Sequence, residues 1–445
     1  MRGGALRLLA AAALALGAPA PGASGAAAAQ AAGGPPVVPA GVAPTPPPSV
    51  ESASVADGER ITVYLITFGQ GDLVWERFGH NALWIRDRSR HSDVAYNWGM
   101  FDFNQPNFLG RFLTGDTKYW MEGEDPAAMI RNYAALNRTV SVQELALTPG
   151  QRAALRDFVD WNERPENSYY RYDYFRDNCS TRVRDALDRV LGGQLRAATG
   201  GVVTNGTFRS HTRRLVAGDF PVYTGIQIAL GRPADRPISA WEEMFLPVKM
   251  RDRLRTVRVG DGAGGTVPLV KSESQLYAAE RPAELESPPR SLPLYLALGG
   301  GAALLIAALA AAAGRGSRPA RAGVAVVGAL WSLVAGVLGS AALLAWTATR
   351  HVFMYRNETL LQLEPLSLAL VALLPLALWS GRGARAARLL AGVVAAAAVA
   401  GLLVKLLPVT PQRNGDVIAL ALPIHLALAW AAWRLLPAPP PAAGR

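Results

Sequence analysis

One cysteine stands in 445 residues. No intramolecular disulfide can form, and metal sites built on cysteine pairs are excluded. Histidine is scarce too, with five in the chain. No HExxH pattern, Walker loop or dinucleotide-binding glycine pattern occurs, and the glycines from Gly260 to Gly265 lack the lysine–serine sequel of a phosphate loop. Acidic residues are outnumbered, 34 against 45 Lys and Arg, yet no basic–aromatic module for nucleic acid is present. These absences leave no cofactor and no metal to expect.

Long apolar runs and a soluble middle are what the chain does have. Residues 1–29 read as a signal peptide: Arg2 and Arg7, an apolar core from Leu8 to Leu16, then small residues. Residues 30–57 are rich in Pro, Gly and Ala, the composition of a flexible tether. A soluble domain follows over 58–286. Strands are predicted at Ile61–Phe68, Ala82–Arg86, Val94–Trp98 and Arg138–Leu147, and helices at Pro106–Leu113 and Pro126–Leu136. Thr148-Pro149 predicts a capped helix running to about Arg164. The mixture is α+β.

Cys179 lies in Tyr172-Asp173-Tyr174-Phe175-Arg176-Asp177-Asn178-Cys179-Ser180-Thr181. Asp177 and Asn178 are good N-cap residues, and Val183, Ala186, Leu187, Val190 and Leu191 recur at helical spacing. The thiol therefore heads a helix, whose dipole favours thiolate and predicts a lowered pKa near neutrality. A lone cysteine on an apolar helix face is also a common inert core residue. A reactive thiol needs a base, and His80 is the most distinctive histidine. It opens the strand-like run His80-Asn81-Ala82-Leu83-Trp84-Ile85 after the turn at Gly79. It could equally be a turn histidine. Histidine strand before cysteine helix is the order of circularly permuted papain-like folds, such as the lecithin:retinol acyltransferase group.

Four stretches resemble the Lnb family: Phe78–Ile85, Tyr96–Phe103, Tyr172–Arg184, and Gly231–Asp235 continuing through Trp241–Pro247. The resemblance implies a circularly permuted papain-like (NlpC-type) thiol domain followed by a membrane domain. It implies a lipoprotein N-acyltransferase whose acceptor is the α-amine of a diacylglyceryl-cysteine lipoprotein; a phospholipid is the expected acyl donor, because lipids are the nearest esters to a membrane-tethered thiol, with the lipoprotein's own diacylglycerol left open as the alternative. In that reading Cys179 is the nucleophile and His80 its base. Asn97 is first choice to orient His80, by analogy with the papain-type asparagine, with His91 and Asp93 as alternatives. The oxyanion falls to the Cys179 N–H and the Asn178 side chain; Asn81, Arg77 and Tyr174 are candidate pocket residues. A cysteine peptidase or amidase, or a non-catalytic membrane assembly protein, are the competing readings.

After Pro288 five apolar segments follow within 291–435: Leu292–Ala313, Ala322–Thr347, Leu361–Trp379, Ala386–Leu407 and Val417–Trp433. Each is near the ~20 residues that cross a bilayer. Arg315, Arg318 and Arg321, then Arg382, Arg385 and Arg388, place their loops in the cytoplasm, with the tail at 436–445. The soluble domain then lies outside, in the periplasm of a bacterial inner membrane. On the outer side His351, Asn357 and Glu364 resemble a polar motif of the Lnb membrane domain and are candidate lipid-binding residues; ordinary interfacial anchoring is the alternative. Gln412, Arg413 and Asn414 form the other outer loop. His425, inside the fifth segment, reads as a helix-packing hydrogen bond.

Overall fold

The structure is a computed structural model that describes residues 35–39, 41–51, 53–407 and 411–437. The signal peptide expected over 1–29 and the tail beyond 437 lie outside the described residues. The chain divides into two compact units. One holds the described residues up to Val216 together with Pro237–Glu286. The other holds Ala217–Arg236 and the residues from Ser287 on, so a stretch inside the expected 58–286 domain groups with the apolar helices.

The first unit is mixed α/β, built on a seven-stranded antiparallel sheet. Its strands are β1 (Ile61–Phe68), β2 (His80–Asp87), β3 (Ser92–Met100), β4 (Lys118–Glu124), β5 (Val140–Leu145), β6 (Tyr169–Arg171) and β7 (Val270–Tyr277). Their spatial order is β7-β5-β1-β2-β3-β4-β6. Strands β1, β2 and β3 are apolar on both faces, because each face is covered. Val63, Leu65, Leu83, Ile85, Tyr96 and Trp98 face a core shared with helices α2 (Pro149–Glu163) and α3 (Cys179–Val190). The alternate residues Ile66, Phe68, Ala82 and Ala95 meet Met129 and Tyr133 of α1 (Pro126–Ala135). Local signals set the helix starts. Thr148 and Gln151 form a capping box around Pro149, and Asn178 and Thr181 form another at the head of α3.

The Pro-rich stretch departs from the tether expected of it. Where described, it docks along the first unit. The Tyr169 hydroxyl donates to Pro36 O at 2.7 Å, Trp161 Nε1 to Thr45 Oγ1 at 2.9 Å, and Arg189 to Pro48 O at 2.7 Å. Proline carbonyls lack a partner N–H of their own kind, so side-chain donors from the domain take them up.

Among the described residues of the second unit, four helices are long and apolar enough to cross a membrane: Leu292–Gly314, Arg318–Ala348, Ala384–Leu406 and Gly415–Leu435. Leu304, Val326, Leu330, Leu389 and Trp433 are exposed on them, as suits surfaces solvated by lipid tails. Of the five expected spans, the third is corrected. The segment Leu361–Trp379 is helical only over Ser367–Ser380, 14 residues, or about 21 Å against a hydrocarbon layer of ~30 Å. Pro365 biases Glu364 away from helix, and Glu358–Leu361 closes into a separate one-turn 3-10 helix. This irregular stretch lies directly on the second long helix. A Cβ at Gly339 would come within 2.1 Å of Leu363 O, so only glycine permits the approach.

Candidate active site

The head of α3 is fixed by a dense set of hydrogen bonds. Asn178 Oδ1 accepts from the Thr181 N–H at 2.9 Å, and Thr181 Oγ1 accepts from the Asn178 N–H at 2.7 Å. Asn178 Nδ2 donates to Tyr174 O and Phe245 O, each at 3.0 Å. Ser180 Oγ donates to Met244 O at 2.6 Å and accepts from Asn81 Nδ2 at 3.0 Å. The last bond ties the start of α3 to the start of β2. Cys179, between Asn178 and Ser180, is half-buried, and the backbone N–H groups of Asn81 and Ser180 reach its sulfur.

The expected low thiol pKa is overturned. Burial pushes the Cys179 thiol up to about 11, against the pull of those N–H groups and of the Arg138 charge. Loss of water around the anion outweighs the helix N-terminus. Cys179 therefore rests as a thiol.

His80 is the first residue of β2, buried between Phe68 and Tyr133, whose ring centroids lie 6.0 and 6.1 Å away. Asn97 stands opposite Ala82 in the β2–β3 register, and Glu124 opposite Ala95 in the β3–β4 register. Side chains two residues apart on one face meet diagonally across strands. That places His80, Asn97 and Glu124 in a line across three strands. His80 Nε2 lies 2.9 Å from Asn97 Oδ1, and Asn97 Nδ2 donates to Glu124 Oε1 at 2.6 Å. The carboxylate sets the amide orientation, and the amide oxygen then requires an N–H at Nε2. Burial and the Arg138 charge lower the imidazole to about 4, against the Asn97 bond, so it is neutral at pH 7. A neutral ring protonated at Nε2 carries its free lone pair at Nδ1. Burial, then the neighbouring Glu122 and Asp125 charges, raise Glu124 to about 7.

Two further groups face the thiol. The point that a Cβ on Gly99 would occupy lies 3.6 Å from Cys179 Cβ and 3.8 Å from Tyr170 Oη. Tyr170 Oη is buried without a hydrogen-bond partner among the described residues. Arg138, almost wholly buried, donates Nε to Gly69 O at 3.0 Å and lies 4.5 Å over the Tyr133 ring. Its charge acts on both His80 and Cys179.

Residues 52–216 match the family model of the Lnb N-terminal periplasmic domain. This stretch of the chain is similar to that family. The Lnb domain thus contains His80, Asn97, Glu124, Tyr170 and Cys179. No curated protein and no solved structure matches the chain. The name of the matching model and the long apolar helices that follow the matched stretch support a multi-pass membrane protein with a periplasmic N-terminal domain.

The other expected site residues sort unevenly. Asn178 is corrected: both its amide donors go to Tyr174 O and Phe245 O, so none is left for an oxyanion. The Asn81 side chain braces Ser180, while its backbone N–H meets the sulfur. Tyr174 packs edge-on against Phe175 and supports the Asn178 cap through its carbonyl. Arg77 belongs to a one-turn helix just before Gly79. His91 and Asp93 lie at the far end of the β2–β3 hairpin, where Asp93 pairs with Arg86. Glu124, Tyr170 and Arg138 went unread in the sequence. Only the strand register or the tertiary fold brings them to the thiol.

In the second unit Asn357 Nδ2 donates to Ile228 O at 2.7 Å and to Ala229 O at 3.1 Å. Gln412 Nε2 donates to Asn357 Oδ1 at 2.9 Å, joining the two outer loops. His351 is half-buried and its carbonyl accepts from Met354 N at 2.8 Å. Glu364 is buried. His425 Nε2 donates to Gln362 O at 2.8 Å, which ties the last long helix to the irregular stretch.

Proposed function

We propose that this protein is a thiol-dependent lipoprotein N-acyltransferase of the bacterial inner membrane. The observation that carries the reading is the 2.9 Å bond between His80 Nε2 and Asn97 Oδ1. It leaves Nδ1 as the base, at the end of β2 where the Asn81 N–H meets the Cys179 sulfur. A thiol-headed helix on an antiparallel sheet, with histidine and asparagine on neighbouring strands upstream, fits a circularly permuted papain-like arrangement.

The chemistry follows from a resting thiol and a neutral imidazole. His80 Nδ1 takes the Cys179 proton as sulfur attacks the ester carbonyl of a phospholipid. The tetrahedral oxyanion is held by the Cys179 backbone N–H and the Tyr170 hydroxyl, whose donor is otherwise unused. Collapse breaks the C–O bond, and His80 returns the proton to the departing lysophospholipid oxygen. The α-amine of a diacylglyceryl-cysteine lipoprotein then attacks the thioester. His80 takes the amine proton, the C–S bond breaks as the amide forms, and His80 returns the proton to the departing sulfur, restoring the thiol.

Acyl transfer from phospholipid to a diacylated lipopeptide is the test. Cys179→Ala abolishes transfer, and wild type without acceptor accumulates a fatty acyl thioester on Cys179. Tyr170→Phe lowers kcat by tenfold or more at unchanged KM. Undiminished transfer by Cys179→Ala overturns the mechanism. Peptide cleavage without acyl transfer replaces it with a peptidase.

A further inference from the structure

Buried acids in the second unit are, in two cases, fully supplied with donors. Glu358 is met by Arg232 Nε at 2.5 Å and by Lys405. Asp416 accepts from Ser291 Oγ at 2.7 Å and Gln227 Nε2 at 2.9 Å. The neutral polar residues beside them are equally engaged: Asn357, Gln412 and Thr359 hydrogen-bond one another.

Glu364 differs from these: Gln362 Oε1 and Asn414 Oδ1 are also unpartnered acceptors in this unit, but Glu364 is the acid with neither oxygen engaged among the described residues. It is 8 % exposed, yet neither carboxylate oxygen has a hydrogen-bond partner among the described residues. Its own N–H and the Ser367 hydroxyl act on the carboxylate, but neither forms a hydrogen bond of ordinary geometry with it. Ser367 Oγ is itself buried and unpartnered. The stretch that carries them lies directly against the second long helix at Gly339. A buried carboxylate without a cation or donors costs several kcal/mol, and folds tolerate this where a ligand completes the pairing.

We infer that Glu364, with Ser367, forms a binding site for a primary ammonium group carried by a lipid. The carboxylate supplies the counter-charge and two acceptors, and the serine hydroxyl a third. A quaternary or absent amine cannot satisfy acceptors that need N–H donors. Two carriers share this chemistry: an ethanolamine headgroup and the free α-amine of a diacylglyceryl-cysteine. The inference deepens the acyl-transfer reading and rests on it for the second carrier alone.

The experiment uses the full-length protein in detergent, with bound lipid counted by native mass spectrometry. One arm compares phosphatidylethanolamine with phosphatidylglycerol of the same chains. The other compares a diacylated lipopeptide bearing a free α-amine with its N-acetylated form. Wild type retains the amine-bearing lipid at least fivefold over its amine-free counterpart in one arm, which identifies the carrier. Glu364→Gln brings that ratio to one. Glutamine has the shape of a protonated glutamate, so a variant that behaves like wild type shows that Glu364 merely holds a proton, and overturns the proposal. Equal retention in both arms by wild type overturns it too. The ratio is read again in Cys179→Ala, where it persists even if the acyl-transfer reading fails.

Discussion

His80 and Glu124 bracket Asn97 and carry pKa shifts of opposite sign. His80 falls from 6.5 to about 4 in the fold. Between those values the unfolded chain binds the proton and the fold does not, so stability is lost as pH drops from 6.5 towards 4. The full effect is about 3 kcal/mol. Glu124 rises from 4.5 to about 7. There the fold holds a proton that the unfolded chain has shed, so stability is lost as pH rises from 4.5 to 7. This effect is smaller, because Glu124 keeps some water contact. In wild type the two slopes oppose. Glu124→Gln therefore leaves a Tm that climbs with pH between 4 and 6.5, and His80→Gln leaves one that declines between 4.5 and 7. Thermal unfolding at four or five pH values checks this, and slopes of the same sign in both variants contradict the assignment.

The cap of α3 is the element on which the thiol's position depends. Asn178→Ala removes the N-cap acceptor and strips Tyr174 O and Phe245 O of their donors. A loss of about 2 kcal/mol or more is expected, with faster alkylation of Cys179 as the helix start frays; an unchanged Tm and alkylation rate would show that the cap is dispensable. This cap was legible in the sequence, as was that at Thr148, because both are signals within four residues. Strand β1 was legible at its full extent, since its β-branched and aromatic run is local. Strand β4 was not: Lys118-Tyr119-Trp120-Met121-Glu122-Gly123-Glu124 has no clean alternation, and pairing with β3 makes it a strand. Missing β4 meant missing Glu124. The sign of the Cys179 shift was hidden for a related reason. A helix N-terminus is written in the sequence, whereas the burial that overrides it is assembled from β2, α1 and the Tyr170 strand. The short helix Ser367–Ser380 was misjudged because hydropathy counts apolar residues and overlooks a polar stretch held in place by Gln362 and Pro365.

The whole chain alternates a periplasmic Lnb domain with helices whose loops carry asymmetric charge. Arg315 lies between the first two long helices, and Arg413 before the last. In a Cys179→Ala background, Arg413→Cys should react with a membrane-impermeant maleimide on intact spheroplasts, and Arg315→Cys only after permeabilisation. The reverse pattern inverts the proposed orientation. Having a single native cysteine makes that labelling clean, and it also bears on how the protein survives where it works. The periplasm is kept oxidising, and peroxides and foreign disulfides are attacked by sulfur as its anion. Held in its neutral form, Cys179 is a poor target for both. The burial that keeps the proton on sulfur thus also protects it from oxidation.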